Sequence, residues 1–396
     1  MANGAYIGVD SVARKVKNCY IGVDGIARKV KKAYIGVDGV ARLFWQAITT
    51  ISKYKSATSY NNYVYTNFGD KSTSVQPTGY ELFQKRNVYP FCNSSITGTI
   101  TVDNNGQIIS TERYTSLDNT NSNISRANTI LVDDNNIFSL SSYVDYKYSD
   151  WYNKVTGAKS SSVENSTSGW SAPVAATGDG YVIGLSDVYS TSMNYNINVI
   201  YTGSAQNVTY SGTSVPKKIT ESSNMHLVML TPTKGVVHEW YNDSQKLFIR
   251  SFSRSGTQVT VQKVVEITQV SGFYCRGVKM VDKNHFFAIT YDKLAYYHVD
   301  DNYNISFIGS IPFTTSSIET ICRVGITNSF VLPERTSSTV HLVSFTDAGI
   351  VNNGSYTSTL SARYNTHTFP FGDNSVIIFS AGSSAGYIKS TIETFE

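Results

Sequence analysis

The chain has 396 residues, of which 41% are hydrophobic and only 16% are charged. Apolar runs interrupt the polar residues throughout, which argues against a disordered chain. The net charge of +4 comes from residues 1–50, which carry eight basic and three acidic side chains, whereas the remaining chain is close to neutral. The composition therefore separates a basic segment, residues 1–50, from a main segment, residues 51–396. The sequence contains no apolar signal core and no run of 18 apolar residues, so we expect no membrane insertion.

One short unit occurs three times in tandem, beginning at Ala5, Cys19 and Ala33. Each unit places Asp-Ser or Asp-Gly between β-branched residues, which is a strong signal for a two-residue hairpin turn. With Asp24-Gly25 as the turn, Tyr20 is predicted to face Lys29, and Gly22 to face Ala27. About forty residues can bury little core by themselves. We therefore expect three hairpins that depend on a partner or on each other.

The positions that recur in the units are predicted to dock the chain to a partner. They are Tyr6, Gly8, Arg14, Lys15, Tyr20, Gly22, Arg28, Lys29, Tyr34, Gly36 and Arg42. A flexible, solvated basic leader is the alternative interpretation. Nucleic-acid binding is a third, because basic residues beside Tyr suit phosphate contacts and base stacking. We do not expect a nucleic-acid partner, because the charges recur at fixed positions while the main segment is neutral.

The repeated motif Tyr-Ile-Gly-Val-Asp-Gly-Val-Ala-Arg-Lys-Val-Lys-Lys resembles a repeat near the N-termini of tail and virion-surface proteins of phages and prophages of Gram-positive bacteria. The resemblance covers residues 5–45 and departs from the pattern at Ser11, Asn18 and Cys19. It implies a virion structural protein of the tail-fibre or receptor-binding type, with other virion proteins as partners. Several copies per particle, assembly in the host cytoplasm and release by lysis would follow.

From residue 51 onward, short β-rich runs alternate with Asn, Asp, Gly and Ser turns, which predicts an all-β fold. A polar turn followed by a strongly apolar strand recurs along this whole segment. These strands begin at Ile96, Ile137, Tyr181, His226, Phe286, Phe330 and Val376. Periods of about 45 residues with four strands each are typical of propeller blades. We therefore predict a seven-bladed β-propeller over residues 51–396, with a multi-sheet sandwich or a jelly-roll pair as the alternative.

The two ends of the predicted ring must join, because the last blade runs out of sequence after Phe395. Its fourth strand is expected from the segment before the first blade, at Tyr80–Gln84, which would remove an exposed edge. The interval between His226 and Phe286 is longer than the others. It predicts about 15 extra residues within Thr231–Gly256, in a loop or a longer hairpin.

Aromatic clusters are the candidate contacts with a host receptor. Their members are Tyr143, Tyr146, Tyr148, Trp151, Tyr152, Trp240 and Tyr241. Such side chains beside Asn and Asp suit stacking on sugar rings and also suit protein interfaces. Tyrosines that line the faces of blades are the alternative interpretation. We expect the partner to be a surface glycan or protein of the host.

No catalytic motif is convincing, so we predict a protein that is not an enzyme and needs no metal or cofactor. The runs at Asp133–Asn136 and Asp300–Asn302 could offer oxygen ligands to Ca²⁺, but hairpin turns closed by Asx hydrogen bonds are the favoured interpretation. A glycan-cleaving propeller is an alternative, because its two carboxylates can come from distant blades. A capsid decoration or head-fibre protein is the other alternative.

Overall fold

The computed structural model describes the chain as two compact units, residues 1–50 and residues 51–396. In the first unit it describes the backbone of the strands between residues 6 and 46. In the second unit it describes residues 51–60, 63–64, 87–92, 96–116, 125–133, 135–143, 146–165, 174–186, 193–202, 208–221, 223–269, 275, 277–290, 293–313, 321–334, 337–358, 366–381 and 387–396. Within these ranges the regular structure consists of strands, and no helix is long and apolar enough to cross a membrane.

The first unit contains three two-stranded antiparallel hairpins, one for each repeat. Their strands are β1 (Tyr6–Val9), β2 (Val12–Lys15), β3 (Tyr20–Val23), β4 (Ile26–Lys29), β5 (Lys32–Val37) and β6 (Val40–Gln46). In the second hairpin Tyr20 pairs with Lys29 and Gly22 with Ala27, which confirms the predicted register. The first hairpin has the equivalent register, and the third adds an irregularity between Ala33 and Tyr34.

The second unit is a seven-bladed β-propeller, which confirms the predicted fold class. Two short strands come first, β7 (Tyr54–Ser59) and β8 (Tyr63–Val64), followed by the three described strands of the first blade, β9 (Val88–Cys92), β10 (Ile96–Val102) and β11 (Ile108–Ser116). The second and third blades comprise β12 (Ser125–Leu131), β13 (Asn136–Tyr143), β14 (Tyr146–Asn153), β15 (Lys159–Asn165), β16 (Val174–Ala176), β17 (Val182–Ser186), β18 (Asn194–Thr202) and β19 (Val208–Pro216).

The remaining blades follow the same antiparallel order. The fourth and fifth blades comprise β20 (Ser223–Thr231), β21 (Lys234–Tyr241), β22 (Lys246–Ser255), β23 (Gln258–Ile267), β24 (Gly277–Asp282), β25 (His285–Ile289), β26 (Lys293–Val299) and β27 (Ile305–Pro312). The sixth and seventh comprise β28 (Cys322–Arg323), β29 (Ser329–Pro333), β30 (Thr339–Thr346), β31 (Gly349–Thr357), β32 (Thr366–Phe371), β33 (Ser375–Ala381) and β34 (Tyr387–Phe395), completed by β7.

The core lies in the seams between neighbouring blades rather than on one face of each sheet. Every residue of β21 and of β29 is buried, because a blade packs against each side of these central strands. The outer strand β31 is instead mostly exposed or half-buried. Central strands therefore have no solvent-exposed face, and even the polar side chains of β21, such as His238 and Glu239, are buried.

The ring closes by strand exchange, as predicted, but with a different strand. β7 pairs antiparallel with β34 and supplies the fourth strand of the seventh blade. The assignment of this role to Tyr80–Gln84 was therefore wrong, and that segment lies outside the described residues. A closing strand next to residue 50 ties the start of the propeller directly to the end of the chain.

The long interval after His226 came from a wrong strand assignment. His226 lies in β20, the first strand of its blade, whereas the second strand is β21, which begins at Lys234. With β21 in place, the second strands of blades two to seven recur at nearly even intervals. Thr231–Gly256 therefore carries no inserted loop of about 15 residues, and the alternative of a longer hairpin is closer, since the paired strands β22 and β23 have ten residues each.

The strand order gives the propeller two different faces. Turns from first to second and from third to fourth strands lie on one face, which we call the hairpin face. Turns from second to third strands and the connections between blades lie on the other, which we call the crossover face. Ile51 lies on the hairpin face, because it closely precedes the fourth strand of the seventh blade.

Candidate functional site

Basic side chains on the hairpin face join one blade to the next. Lys234 of the fourth blade donates to Asn284 Oδ1 of the fifth at 2.7 Å. Arg254 pairs with Asp179 of the third blade, and its guanidinium lies 4.4 Å from the centre of the Tyr181 ring. Arg323 of the sixth blade donates to the carbonyl oxygen of Val281 at 3.0 Å. These contacts satisfy buried carbonyls and cations together, and they connect the third to the sixth blades on this face.

A cluster of titratable side chains lies on the hairpin face of the fifth blade. The Nδ1 atom of His285 lies 2.8 Å from Asp282 Oδ1, and the His285 and His298 rings are centred 4.8 Å apart. Burial raises the pKa of Asp282, but the hydrogen bond and charge of His285 outweigh it, and the pKa lies below its ordinary value. Burial, and then the His285 charge, lower the pKa of His298.

The ring of Tyr296 forms the floor of this cluster. Tyr296 is buried and stacks on His285 with ring centres 5.4 Å apart. Burial raises the pKa of its hydroxyl, and the charges of Asp282 and Asp347 raise it further. Asp282 and Asp347, from different blades, therefore both raise the pKa of one phenol, and Asp282 also forms a carboxylate–imidazole pair with His285. Such a pair can accept a proton, which is the chemical capability of the cluster.

The buried carboxylates of the second unit are paired with hydroxyls or cations. Glu239 accepts hydrogen bonds from Tyr195 at 2.7 Å, from Tyr241 at 3.1 Å and from Arg250. Glu393 accepts from Tyr356 Oη at 2.6 Å and from Ser358. Both therefore stabilise the seams between blades, and neither is presented to a cleft.

The two acidic runs that could have offered oxygens to Ca²⁺ close hairpin turns instead. Asp133 Oδ1 accepts from the backbone N–H of Asn135 at 2.7 Å, and Asp300 Oδ1 accepts from that of Asn302 at 2.9 Å. These are Asx hydrogen bonds. Within the described residues, no three His, Cys, Asp or Glu side chains are placed to share a metal ion.

The described part of the crossover face has an ordered polar platform at the third and fourth blades. Glu221 accepts from the backbone N–H and the hydroxyl of Ser244, the latter at 2.7 Å. The backbone N–H of Lys218 donates to Tyr241 Oη at 3.0 Å, which connects this platform to the buried Glu239. Met193 is 71% exposed at its edge. The platform is therefore fixed by hydrogen bonds to the fourth blade.

Four of the predicted receptor contacts are core residues. Trp151, Tyr152, Trp240 and Tyr241 are each at most 4% exposed. Both neighbours in each pair are buried because a blade packs on either side of their strands. They are therefore excluded from the candidate ligand contacts. The backbones of Tyr143, Tyr146 and Tyr148 lie in β13 and β14, and their side chains are outside the described residues.

The predicted docking residues occupy equivalent backbone positions in the three hairpins. Arg14, Arg28 and Arg42 pair with Ile7, Ile21 and Ile35 respectively. Lys15 and Lys29 pair with Tyr6 and Tyr20, whereas the third hairpin places Leu43 opposite Tyr34. Gly8, Gly22 and Gly36 each lie opposite an alanine. The repeats thus present the same backbone pattern three times, and the docking role itself stays a prediction.

Two histidines lie side by side in the fourth blade, which the sequence alone does not show. His226 and His238 lie opposite each other on β20 and β21. His226 Nε2 lies 3.0 Å from the carbonyl oxygen of Cys275, whereas both ring nitrogens of His238 are buried without a hydrogen-bond partner. Burial raises the pKa of the Cys275 thiol to about 12, so this free cysteine is unreactive at neutral pH. Only the strand register could have brought these residues together.

Comparisons with known proteins support the fold. No protein-family model matches the chain, and no curated protein matches it. Among solved structures, the Cps50 (Swd1) β-propeller domain of Myceliophteria thermophila is 10% identical, with a TM-score of 0.52 over 85% of this chain and 99% of that chain. The WD40 domain of Toxoplasma gondii coronin is 10% identical, with a TM-score of 0.50 and 87% of each chain covered. Virginiamycin B lyase of Staphylococcus aureus is 9% identical, with a TM-score of 0.50 over 85% of this chain and 99% of that chain. The similarity defines the class, a seven-bladed β-propeller, and no more than the class.

Proposed function

We propose that this chain is a structural protein of a phage virion, associated with the tail and of the fibre or receptor-binding type. The N-terminal hairpins dock it to other virion proteins, and the propeller presents its crossover face to a glycan or protein of the host surface. It acts without catalysis, metal or cofactor. Several copies per particle strengthen a weak individual contact.

The observation that carries the docking role is the repetition of one hairpin with one register in a separate unit. Two-stranded hairpins have marginal stability in water, because neither face is covered. Three such hairpins repeat Arg at the same register position, which gives a regular basic array along the sequence. This array suits an acidic partner of equal regularity, which a symmetric virion component supplies. The resemblance of the motif to virion-surface proteins leads to the same partner.

The direction of presentation follows from the propeller topology. Ile51 lies on the hairpin face, where the turns are short: Pro232 and Thr233 alone link β20 to β21. The connections between blades, all on the crossover face, are longer, as at 268–276 between β23 and β24. Longer segments accommodate sequence variation and binding residues without disturbing the sheets. A chain attached through residues 1–50 therefore carries the face with the longer connections away from the attachment point of Ile51.

Immunogold labelling of intact particles, with antibody raised against residues 60–396, tests the proposal. Label at the tail tip supports host recognition, and label over the capsid supports the alternative of a decoration or head-fibre protein. Particles without label contradict a virion role.

A charge-reversed variant tests the docking step separately. Arg14→Glu with Arg28→Glu is expected to remove the protein from particles, because it reverses the charge at two equivalent hairpin positions. Lys263→Glu with Lys283→Glu makes the same change of charge on the propeller and is expected to leave particle binding intact. Equal incorporation of the two variants would contradict docking through the hairpins.

A glycan-cleaving enzyme is the second candidate, favoured only by the cluster at Tyr296. Asp282 and Asp347 come from different blades and both raise the pKa of this hydroxyl. Release of reducing sugars from purified host cell-wall polysaccharide, lost in both Asp282→Asn and Asp347→Asn, would establish it. Absence of release by the unaltered chain supports the binding role.

A further inference from the structure

The junction between the two units is fixed into the propeller core at a single residue. Ile51 is 1% exposed and packs with Leu342 and Phe395 in the seam of the sixth and seventh blades. Its backbone N–H donates to Ser329 Oγ at 3.0 Å. Its carbonyl oxygen accepts from Ser344 Oγ at 2.8 Å and from Asn353 Nδ2 at 2.9 Å. A backbone bonded by three side chains of another blade is held far more firmly than an ordinary linker.

The next residues bind the last residue of the sequence. The backbone N–H groups of Ser52 and Lys53 both donate to the carbonyl oxygen of Glu396 at 3.0 Å, and Lys53 Nζ lies 3.2 Å from the Glu396 carboxylate. Tyr54 stacks on the ring of Tyr356, with ring centres 4.4 Å apart. β7 then continues along β34 as far as Ser59, whose hydroxyl lies 3.0 Å from that of Thr391. Anchor and strand together form a continuous strap, residues 51–59.

We propose that this strap bears mechanical load between the attached N-terminal unit and the propeller. Strands of a propeller run from one face to the other, so a pull from the hairpin face against a ligand on the crossover face acts along β7. Force along a paired strand loads its interstrand hydrogen bonds together, whereas force across the strand breaks them one after another. The anchor of Ile51 lies at the end where the pull arrives. A particle bound to its host through this chain would load the strap in its stronger direction.

Single-molecule force spectroscopy on the full chain tests the proposal, in a background of Cys19→Ser and Cys92→Ser. Handles at Thr50→Cys and Ser338→Cys, the latter in the β29–β30 turn on the crossover face of the neighbouring sixth blade, pull close to the direction of β7, whereas handles at Thr50→Cys and Val155→Cys pull across the hairpin face. In the second geometry the first step is expected to release up to about 30 Å of chain, the extended length of nine residues, whereas in the first geometry β7 already lies extended along the pull and its release adds little length. The first step should need a clearly higher force in the first geometry. Equal forces in the two geometries would overturn the proposal, as would a first step that releases a whole blade.

Removal of the anchor gives an independent measurement. Ser344→Ala with Asn353→Ala deletes the two shorter of the three side-chain bonds to the Ile51 carbonyl and should lower the force of the first step without changing its length. Ser186→Ala with Asn198→Ala removes the same two residue types from a bonded pair in the third blade, where Asn198 Nδ2 lies 3.1 Å from Ser186 Oγ, and should leave that force unchanged. An unchanged force in the anchor variant would overturn the role of Ile51.

The inference depends on the proposed function only for the origin of the load. The comparison of the two pulling geometries uses no destabilised variant, so it stays decisive if the anchor variant does not fold. Unlabelled particles would contradict the virion role and leave the strap intact, whereas equal forces would contradict the strap and leave the virion role intact.

Discussion

At the scale of single residues, His238 in the seam between the fourth and fifth blades is unfavourably placed, because both of its ring nitrogens are buried without a hydrogen-bond partner. Burial lowers its pKa to about 3, and that of His226 to about 4, so both rings are neutral in the folded chain at pH 7. The unfolded chain protonates them near pH 6.5. Above pH 6.5 both rings are neutral in the folded and the unfolded chain, so their burial then has no pH-dependent cost. As the pH decreases from about 6.5 towards 3, only the unfolded chain takes up the protons, and the free energy of unfolding falls.

His238→Leu is expected to reduce this acid sensitivity and to raise stability at pH 7 by about 1 kcal/mol, because it removes two unsatisfied ring nitrogens from the core. Urea unfolding at pH 7, 6, 5 and 4 measures both effects. His341→Gln is the control, since His341 is half-buried and bonded to Glu334 of its own blade. A pH dependence of stability that is the same in His238→Leu and in the unaltered chain would contradict the prediction.

Substitution in the buried pair of Glu239 and Arg250 is expected to lower stability rather than raise it, since here the carboxylate and the guanidinium are bonded to each other. Arg250→Met leaves the Glu239 carboxylate without its cation and should lower stability by about 3–5 kcal/mol. Adding Glu239→Gln removes the uncompensated charge and should restore part of the loss, because the amide oxygen accepts from one tyrosine hydroxyl and the amide N–H donates to the other. Chemical denaturation of both variants provides the comparison. A double variant that is less stable than Arg250→Met would argue against charge burial as the cause.

At the scale of elements, the turns of neighbouring blades fit closely on the hairpin face. Gly325 has a φ of +53°, and a Cβ atom there would lie 2.3 Å from the backbone carbonyl carbon of Asp373. Its N–H donates to the carbonyl oxygen of Ser375 in the seventh blade at 2.9 Å. Gly256 has a similar φ of +56°, but nothing lies near the position of its Cβ. Both positions have the left-handed backbone, but only Gly325 also lies in close contact with a neighbouring blade. A comparison of the two therefore distinguishes the effect of backbone strain from that of close contact.

Both alanine substitutions are expected to destabilise the propeller, but by different amounts. Gly256→Ala should cost about 1 kcal/mol from the left-handed backbone alone. Gly325→Ala should cost at least about 2 kcal/mol more, because it also forces the sixth and seventh blades apart. Thermal unfolding of the two variants measures the difference. Equal losses would show that the turns can separate without penalty.

Strand assignment from the sequence succeeded where polar turns separate the strands. The second strand of the fifth blade begins at His285, next to the predicted Phe286, because Asp282 and Asp300 begin turns that their own side chains close. It failed at His226, because β20 and β21 are both largely buried and are separated by only Pro232 and Thr233. Apolar runs of equal strength cannot be ranked as first or second strand until their pairing is known.

At the scale of the whole molecule, ring closure and attachment use adjacent residues. Deletion of residues 1–48 is expected to leave the unfolding transition of the propeller unchanged, because Ile51 and β7 are retained. Deletion of residues 1–59 removes the closing strand and should lower stability by more than about 3 kcal/mol. Calorimetry of the two truncated chains measures this contrast. A large loss in the shorter deletion would mean that the N-terminal unit itself supports the ring.

The sequence by itself determined the all-β class, the seven repeated blades and the register of the N-terminal hairpins. Each depends on local chemistry: β-branched runs, turn residues and a fixed period. The tertiary structure decided which strand closes the ring and which aromatic rings are covered. Trp240 and Tyr241 look like neighbours of which one must face water, yet both are buried, because a blade lies on each side of β21. The partners of Ile51, His226 and Tyr296 include residues distant in sequence, and only the packing of one blade on the next brings such segments together.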